Sequence, residues 1–245
     1  MQHAYVPREG TLRSYRGTVL TKQASGIEVE EKFGSPYLVI HRADLLKVLV
    51  SEAQNLGVGI KLGANVTNIN FETPSISLLT GEVFEGDVVF GADGERSLCR
   101  DTLLGHADIP QSTGDLVFRI AVKRDDASQL QNLKDLISQP SVNLWLGPDA
   151  HAVSYLLKND ILNVVLVIKD TSGAKTIYGP QKAAVADLKA AFKDWDPIFE
   201  TLLDVKDADC TKWSLLHINE VENWIHSSGK FVVIGDAAHA MLPYL

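Results

Sequence analysis

The sequence predicts a mixed α/β fold: part of a nucleotide-binding, Rossmann-like α/β unit, interrupted by an inserted antiparallel or mixed β-sheet domain. Three observations carry this expectation. Two short apolar runs, Asp87-Val88-Val89-Phe90 and Phe231-Val232-Val233-Ile234, each lead into a turn containing glycine and aspartate. Between them, residues 116–168 hold four β-rich runs separated by turn residues. The pattern then passes through helical signals and returns to the first kind of strand at Phe231.

Each element has its own justification. Gly10, Gly17, Gly26 and Gly34 fall at turn-like intervals, with alternating stretches such as Gly26-Ile27-Glu28-Val29-Glu30, so residues 11–40 are expected to form short antiparallel strands. A helix is expected over 43–56, where Leu45, Leu49, Glu52, Ala53 and Leu56 mark a mostly apolar stripe and Gly57 sits at C′. Strands over 58–62 and 64–71 and a hairpin around Thr80-Gly81-Glu82 precede the 87–90 strand. Further strands are expected at 116–122, 142–146, 153–157 and 161–168, turning at Gly147-Pro148-Asp149 and Lys158-Asn159-Asp160. Residues 127–138 and 181–195 read as helices, and Pro197 suits the first turn of another. The expected division is therefore 1–106 with 228–245 for the nucleotide unit and 107–227 for the inserted sheet, with 10–40 lending strands to that sheet.

Composition narrows the function class. A chain of 245 residues with 45% hydrophobic content can bury a core. A net charge of −8 and a pI near 5.3 argue against nucleic acid or an anionic membrane surface as partner. No apolar run reaches membrane-span length and no basic-then-apolar leader opens the chain, so a cytoplasmic location is expected. Cys99, Cys210 and the histidines lack metal-ligand spacing, so no metal is expected.

Two glycine-rich turns carry the candidate chemistry. In Gly91-Ala92-Asp93-Gly94-Glu95-Arg96-Ser97-Leu98-Cys99-Arg100, the glycines permit positive φ and close backbone approach. The expected helix start offers N–H groups to an anion, and Arg96 and Arg100 would share a helix face. In Gly235-Asp236-Ala237-Ala238-His239, Asp236 would accept hydrogen bonds from the hydroxyls of a bound nucleotide, and the alanines admit the ligand closely; a plain helix N-cap is the alternative. Arg42 sits at a helix start, where the dipole disfavours a cation, so its position needs another reason. Arg119 is a charge inside an apolar strand and must face a partner or a cavity, and Tyr155 can present a phenol at the same surface. The alternative for these two is a salt bridge and a core tyrosine. His239 reads first as a packing or hydrogen-bonding residue, with a general base as the alternative.

Taken in this order and separation, the motifs resemble the FAD-dependent aromatic-ring monooxygenases of the salicylate-hydroxylase type. Their G-A-D-G-x-x-S-x-x-R signature is matched by Gly91, Asp93, Gly94, Ser97 and Arg100. Their G-D-A-A-H-x-x-x-P signature is matched by Gly235, Asp236, Ala237, Ala238, His239 and Pro243, and an H-R-x-x-L segment by His41, Arg42 and Leu45. The resemblance implies an FAD-binding domain whose inserted sheet roofs a pocket for a small aromatic, phenolic substrate. It assigns cofactor contact to Arg42, Asp93, Gly94, Asp236, Ala237 and Pro243. It also implies hydroxylation through a flavin C4a-hydroperoxide, with NAD(P)H as co-substrate. By analogy with the dearomatising fungal branch, Arg119 and Tyr155 would bind and polarise a phenolate.

The departures from that family are equally specific. Its members open on a G-x-G-x-x-G turn that holds the FAD pyrophosphate, and no such motif occurs in this sequence. The helix expected after Pro243 is missing as well, so the chain reads as truncated at both ends. Two rival readings follow: an inactive remnant or interaction domain, and a different two-substrate enzyme such as a methyltransferase. The second leaves Gly235–His239 unexplained.

Overall fold

The computed structural model describes residues 3–24, 26–138, 140–158, 160–173, 175–205 and 208–243. Its first elements are β1 (Ala4–Tyr5), β2 (Glu9–Ser14), β3 (Val19–Ala24), α1 (Ile27–Phe33), β4 (Val39–Ile40) and α2 (Arg42–Asn55). Next come β5 (Val66–Asn70), β6 (Ser75–Leu78), β7 (Val83–Glu85), β8 (Val89–Gly91), α3 (Leu98–Leu104) and the long strand β9 (Gln111–Lys123). After α4 (Arg124–Ser128), a 3₁₀ turn and α5 (Lys134–Ser138), the strands β10 (Ser141–Gly147), β11 (Ala150–Leu157) and β12 (Ile161–Lys169) form hairpins. Then follow β13 (Gln181–Lys182), α6 (Ala186–Lys189), α7 (Pro197–Leu203), β14 (Asp209–His217), β15 (Phe231–Val233) and α8 (Asp236–His239). The fold is mixed α/β, as expected.

Two compact units are present, residues 1–57 with 114–214 and residues 58–113 with 215–245. The first therefore includes all of 1–57, where the sequence reading lent only the strands of 10–40 to the sheet. Its centre is an eight-stranded sheet in the order β13-β14-β9-β12-β11-β10-β2-β3. Neighbours β2–β3, β10–β11, β11–β12, β12–β9 and β13–β14 run antiparallel, and β10 runs parallel to β2. Period-two patterning sets the core: Phe118, Ile120 and Val122 of β9 are buried, alternating with half-buried Arg119 and Ala121. The buried side packs with Leu133, Leu136, Ile137, Leu188, Phe199 and Leu202 from the helical segments. Trp145, Phe192, Trp195 and Phe199 form an aromatic cluster of edge-on and tilted pairs within it.

The second unit holds an antiparallel meander, β5-β6-β7, and a parallel pair, β15-β8. Its core is small: Ile69, Phe231, Val233, Ala237 and Ala238 are buried, and the Phe71 ring stands 4.5 Å from the rings of both His226 and Phe231.

Several local expectations fail for identifiable reasons. Residues 27–33 form a helix instead of a strand. Gly26 enters it at φ 75°, and Gly34 closes it in the left-handed region while donating to the Glu30 carbonyl. Five alternating residues could not reveal those caps. The helix expected over 127–138 is broken into α4, the 3₁₀ turn and α5, and 181–195 gives only the edge strand β13 and the single turn α6. No strand forms over 58–62. Arg96 precedes α3, so it shares no helix face with Arg100. The sheet strand β14 carried no reading from the sequence. The expected Lys158–Asp160 turn includes Asn159, which lies outside the described residues.

Candidate cofactor and substrate sites

Both glycine-rich motifs lie in the second unit, at the C-terminal ends of the parallel strands β8 and β15. Ligand-binding crevices in open α/β sheets form at that end of the strands. Gly91 must be glycine because a Cβ there would stand 2.5 Å from the Cys99 Cβ, and Gly94 takes φ +85° with open space around it. Ser97 caps α3 by accepting from the Arg100 N–H, and Asp93 binds both the Ser97 hydroxyl and the Cys99 N–H. Partial burial of Asp93 opposes ionisation, yet these donors outweigh it and hold its carboxyl below the usual range. Burial and the adjacent Asp93 charge push the Cys99 thiol up to about 12, so it stays protonated at neutral pH.

Arg100 joins the two motifs. It is fully buried, donates to the carbonyls of Glu95, Asp108 and Ala237, and pairs through Nε with the Asp108 carboxylate at 3.0 Å. The sequence placed Arg100 in a signature but gave it no task. Its structural task is to tie the start of α8 to the turn after β8.

Asp236 differs from Asp93. It is exposed at the start of α8, with no hydrogen bond or ion pair among the described residues. Gly235 before it takes φ 59°, and Ala237 and Ala238 behind it are buried. A free carboxylate over small residues at a strand end suits a ligand bearing hydroxyl groups. His239 stacks on Trp224 with ring centroids 5.1 Å apart, the packing role read first from the sequence. Pro243 lies exposed beyond α8.

The first unit holds the remaining candidates. Arg42 is the exposed first residue of α2, where His41 Nδ1 accepts from the Ala43 N–H, and it pairs with no carboxylate among the described residues. Arg119 and Tyr155 share one face of the large sheet with Asn163 between them. Tyr155 is directly opposite Asn163, and Arg119 is opposite Val165, two residues along β12. Arg119 Nε donates to Asn163 Oδ1 at 2.6 Å, and among the described residues Arg119 pairs with no carboxylate. The salt-bridge alternative is thus not what the sheet shows. Burial raises the Tyr155 phenol above its ordinary pKa, with Arg119 opposing and Tyr37 reinforcing the shift. Tyr155 is therefore a neutral O–H donor at working pH. Asn163 and Tyr37 were missed by the sequence reading. The signal for Asn163 was a single amide in the run Ile161–Ile168; nothing local marked Tyr37.

Among the described residues, no group of three or more His, Cys, Asp or Glu side chains forms a metal cluster, and no helix is long and apolar enough to cross a membrane.

Comparison with known proteins decides the ancestry. The profile of the family described as FAD binding domain matches residues 3–245. The chain is 36% identical over 250 residues to the FAD-dependent monooxygenase OpS4 of Beauveria bassiana, covering 99% of this chain and 57% of that relative. The chain belongs to this FAD binding domain family. Another relative is a 3-hydroxybenzoate 6-hydroxylase of Klebsiella oxytoca, 29% identical over 224 residues, covering 90% of this chain and 53% of that one. Among solved structures, a salicylate hydroxylase substrate complex aligns at TM-score 0.74 and 25% identity, covering 98% of this chain and 60% of that one. CtdE in complex with FAD and its substrate aligns at TM-score 0.83 and 18% identity, covering 99% of this chain and 60% of that one, which shows a shared fold. The chain spans little more than half the length of the curated relatives it matches.

Proposed function

We propose that this chain supplies the FAD-contacting and substrate-holding parts of an aromatic-ring monooxygenase that uses NAD(P)H and acts on a phenolic small molecule. The observation that carries the reading is the sheet face of the first unit. There a guanidinium without a carboxylate partner among the described residues and a neutral phenol flank a buried amide, with Val153 and Val165 beside them. A phenol bound against Arg119 is held as its anion, because the nearby cation favours the charged form. Tyr155 donates its O–H toward the same oxygen, which fixes the ring's orientation. The apolar residues around them, Val153 and Val165, exclude water from the reacting ring.

The residues of the second unit fit the flavin. Asp236 accepts from its sugar or ribityl hydroxyls, Ala237 and Gly94 leave room for close approach, and Asp93 fixes the turn that presents Gly94. Pro243 shapes the segment after α8, and Arg42, in the first unit, is a separate candidate for cofactor contact through an exposed guanidinium that pairs with no carboxylate among the described residues. FAD held there would supply the redox and oxygen-transferring chemistry.

The test is a visible-absorption titration with FAD, followed by phenol-dependent oxidation of NADH or NADPH. A bound flavin spectrum, with coenzyme consumption and oxygen incorporation only when a phenol is present, supports the reading. Flavin binding with no phenol-dependent turnover, or no flavin binding at all, overturns it for this chain.

A further inference from the structure

We propose that Asn163 is the positioning residue for Arg119: it engages Nε so that the terminal guanidinium nitrogens, with their charge unneutralised, face a phenolate oxygen. This deepens the reading of Arg119 given above and rests on it.

Three observations converge. The first is chemical. Arg119 Nε–H can only donate, so the Asn163 atom 2.6 Å away must be the amide oxygen, which fixes the orientation of the whole amide. With Nε held from within the sheet, the guanidinium plane is set and the Nη fork is what remains for a ligand.

The second is energetic. Asn163 is 1% exposed, and it lies in Ile161-Leu162-Asn163-Val164-Val165-Leu166-Val167-Ile168, where every neighbour is apolar. Its Nδ2 is buried with no hydrogen-bond partner. A half-satisfied amide is a poor way to stabilise an apolar strand, since the orphaned donor loses its hydration for nothing. Its retention is explained by what its oxygen does for Arg119.

The third is positional. Cross-strand register puts Asn163 beside Tyr155 and diagonal to Arg119, so one side chain lies between the cation and the phenol on the same sheet face. A neutral amide anchors the arginine there without cancelling its charge, as an aspartate would. The ligand class that follows is a phenol whose ionisation the site promotes, bound as the anion.

The probe is 4-nitrophenol, because its phenolate absorbs visibly and reports its own ionisation. In the unmodified chain the bound probe is expected to ionise about one pH unit below the free phenol, equivalent to about tenfold preference for the anion. Asn163→Asp, which places a carboxylate on the guanidinium, should return the ionisation to the solution value. Asn163→Leu should weaken phenolate binding by about tenfold while thermal stability is kept or raised; Asn163→Ser replaces it if the leucine chain does not fold. In an Arg119→Ala background the Asn163 substitutions should have no further effect, the signature of action through the arginine.

The outcomes separate the two readings. If Arg119→Ala abolishes the shift but the Asn163 variants keep it, the positioning role is overturned and Arg119 stands. If the unmodified chain does not bind the probe, or if Arg119→Ala changes nothing, the phenolate site itself falls and takes the role of Asn163 with it. Equal losses in the single Asn163 variants and in the Arg119→Ala background would show that Asn163 acts independently, and would also overturn the proposal.

Discussion

Arg100 and Asp93 show how a signature residue can be an architectural one. Three carbonyls and one carboxylate surround the Arg100 guanidinium at full burial. Removing the cation leaves Asp108 and those carbonyls without their donor. Arg100→Met should therefore lower unfolding free energy by about 3 kcal/mol in a urea titration, whereas an exposed arginine would cost far less. Asp93 adds a pH-dependent part. Its folded-state pKa lies below 3.8, so the ionised form is favoured by folding. That stabilisation is complete above the unfolded-state value and is lost as pH falls through the lower folded-state value. Asp93→Asn should thus be less stable at neutral pH by no more than about 1 kcal/mol, since the carboxylate is partly solvent-screened. The urea midpoints of the two chains should converge as pH is taken down through and below 3.8; a gap that persists in strong acid would show that the carboxylate charge is not what matters.

At the scale of elements, α7 illustrates what the sequence makes legible. Pro197 marks a helix start by residue type alone, and the structure puts Asp196 before it at the N-cap with Oδ1 accepting from the Ile198 N–H at 3.2 Å. Nothing in the sequence shows that Oδ2 also accepts from the buried Trp145 Nε1 at 2.9 Å, because that partner lies 51 residues away. Asp196→Ala removes a cap and orphans an indole N–H together. A loss of about 2 kcal/mol is expected by thermal or urea unfolding, against about 1 kcal/mol for Asp196→Asn, which keeps the cap acceptor. The same division runs through the rest of the chain. The hairpins β10-β11-β12 were legible because period-two patterning and turn residues are local, as was α2 with Gly57 behind it at φ 81°. The helix α1 was not, since its identity rests on the φ of two glycines, and β14 was not, since its place is fixed by pairing within the sheet. Of the site, Asp236 and Arg119 could be picked out as charges at informative positions. Asn163 matters only through cross-strand register, and Tyr37 only through its proximity to Tyr155.

The molecule as a whole combines two cores of very different size. Among the described residues, the buried cluster at the centre of the first unit has nineteen side chains and that of the second has five. Burial of apolar surface is the main favourable term in folding, so the second unit has much the smaller share of it. The chain should therefore depart from two-state behaviour, with a lower thermal transition from residues 58–113 and 215–245 and a higher one from the sheet unit. This separation gives the proposed cofactor site a physical readout that does not depend on turnover. A ligand that binds only the folded form raises the transition it is linked to, by about 2.7 kcal/mol at a hundredfold excess over its dissociation constant. With Asp236, Ala237 and Gly94 in the second unit, added FAD should raise the lower transition most, and Asp236→Ala should shrink that rise while leaving the higher transition in place. The four tryptophans allow the assignment: Trp224 reports the second unit, and Trp145, Trp195 and Trp213 report the first. A chain whose lower transition ignores FAD, or whose FAD-dependent shift survives Asp236→Ala, would remove the flavin contact from the end of β15.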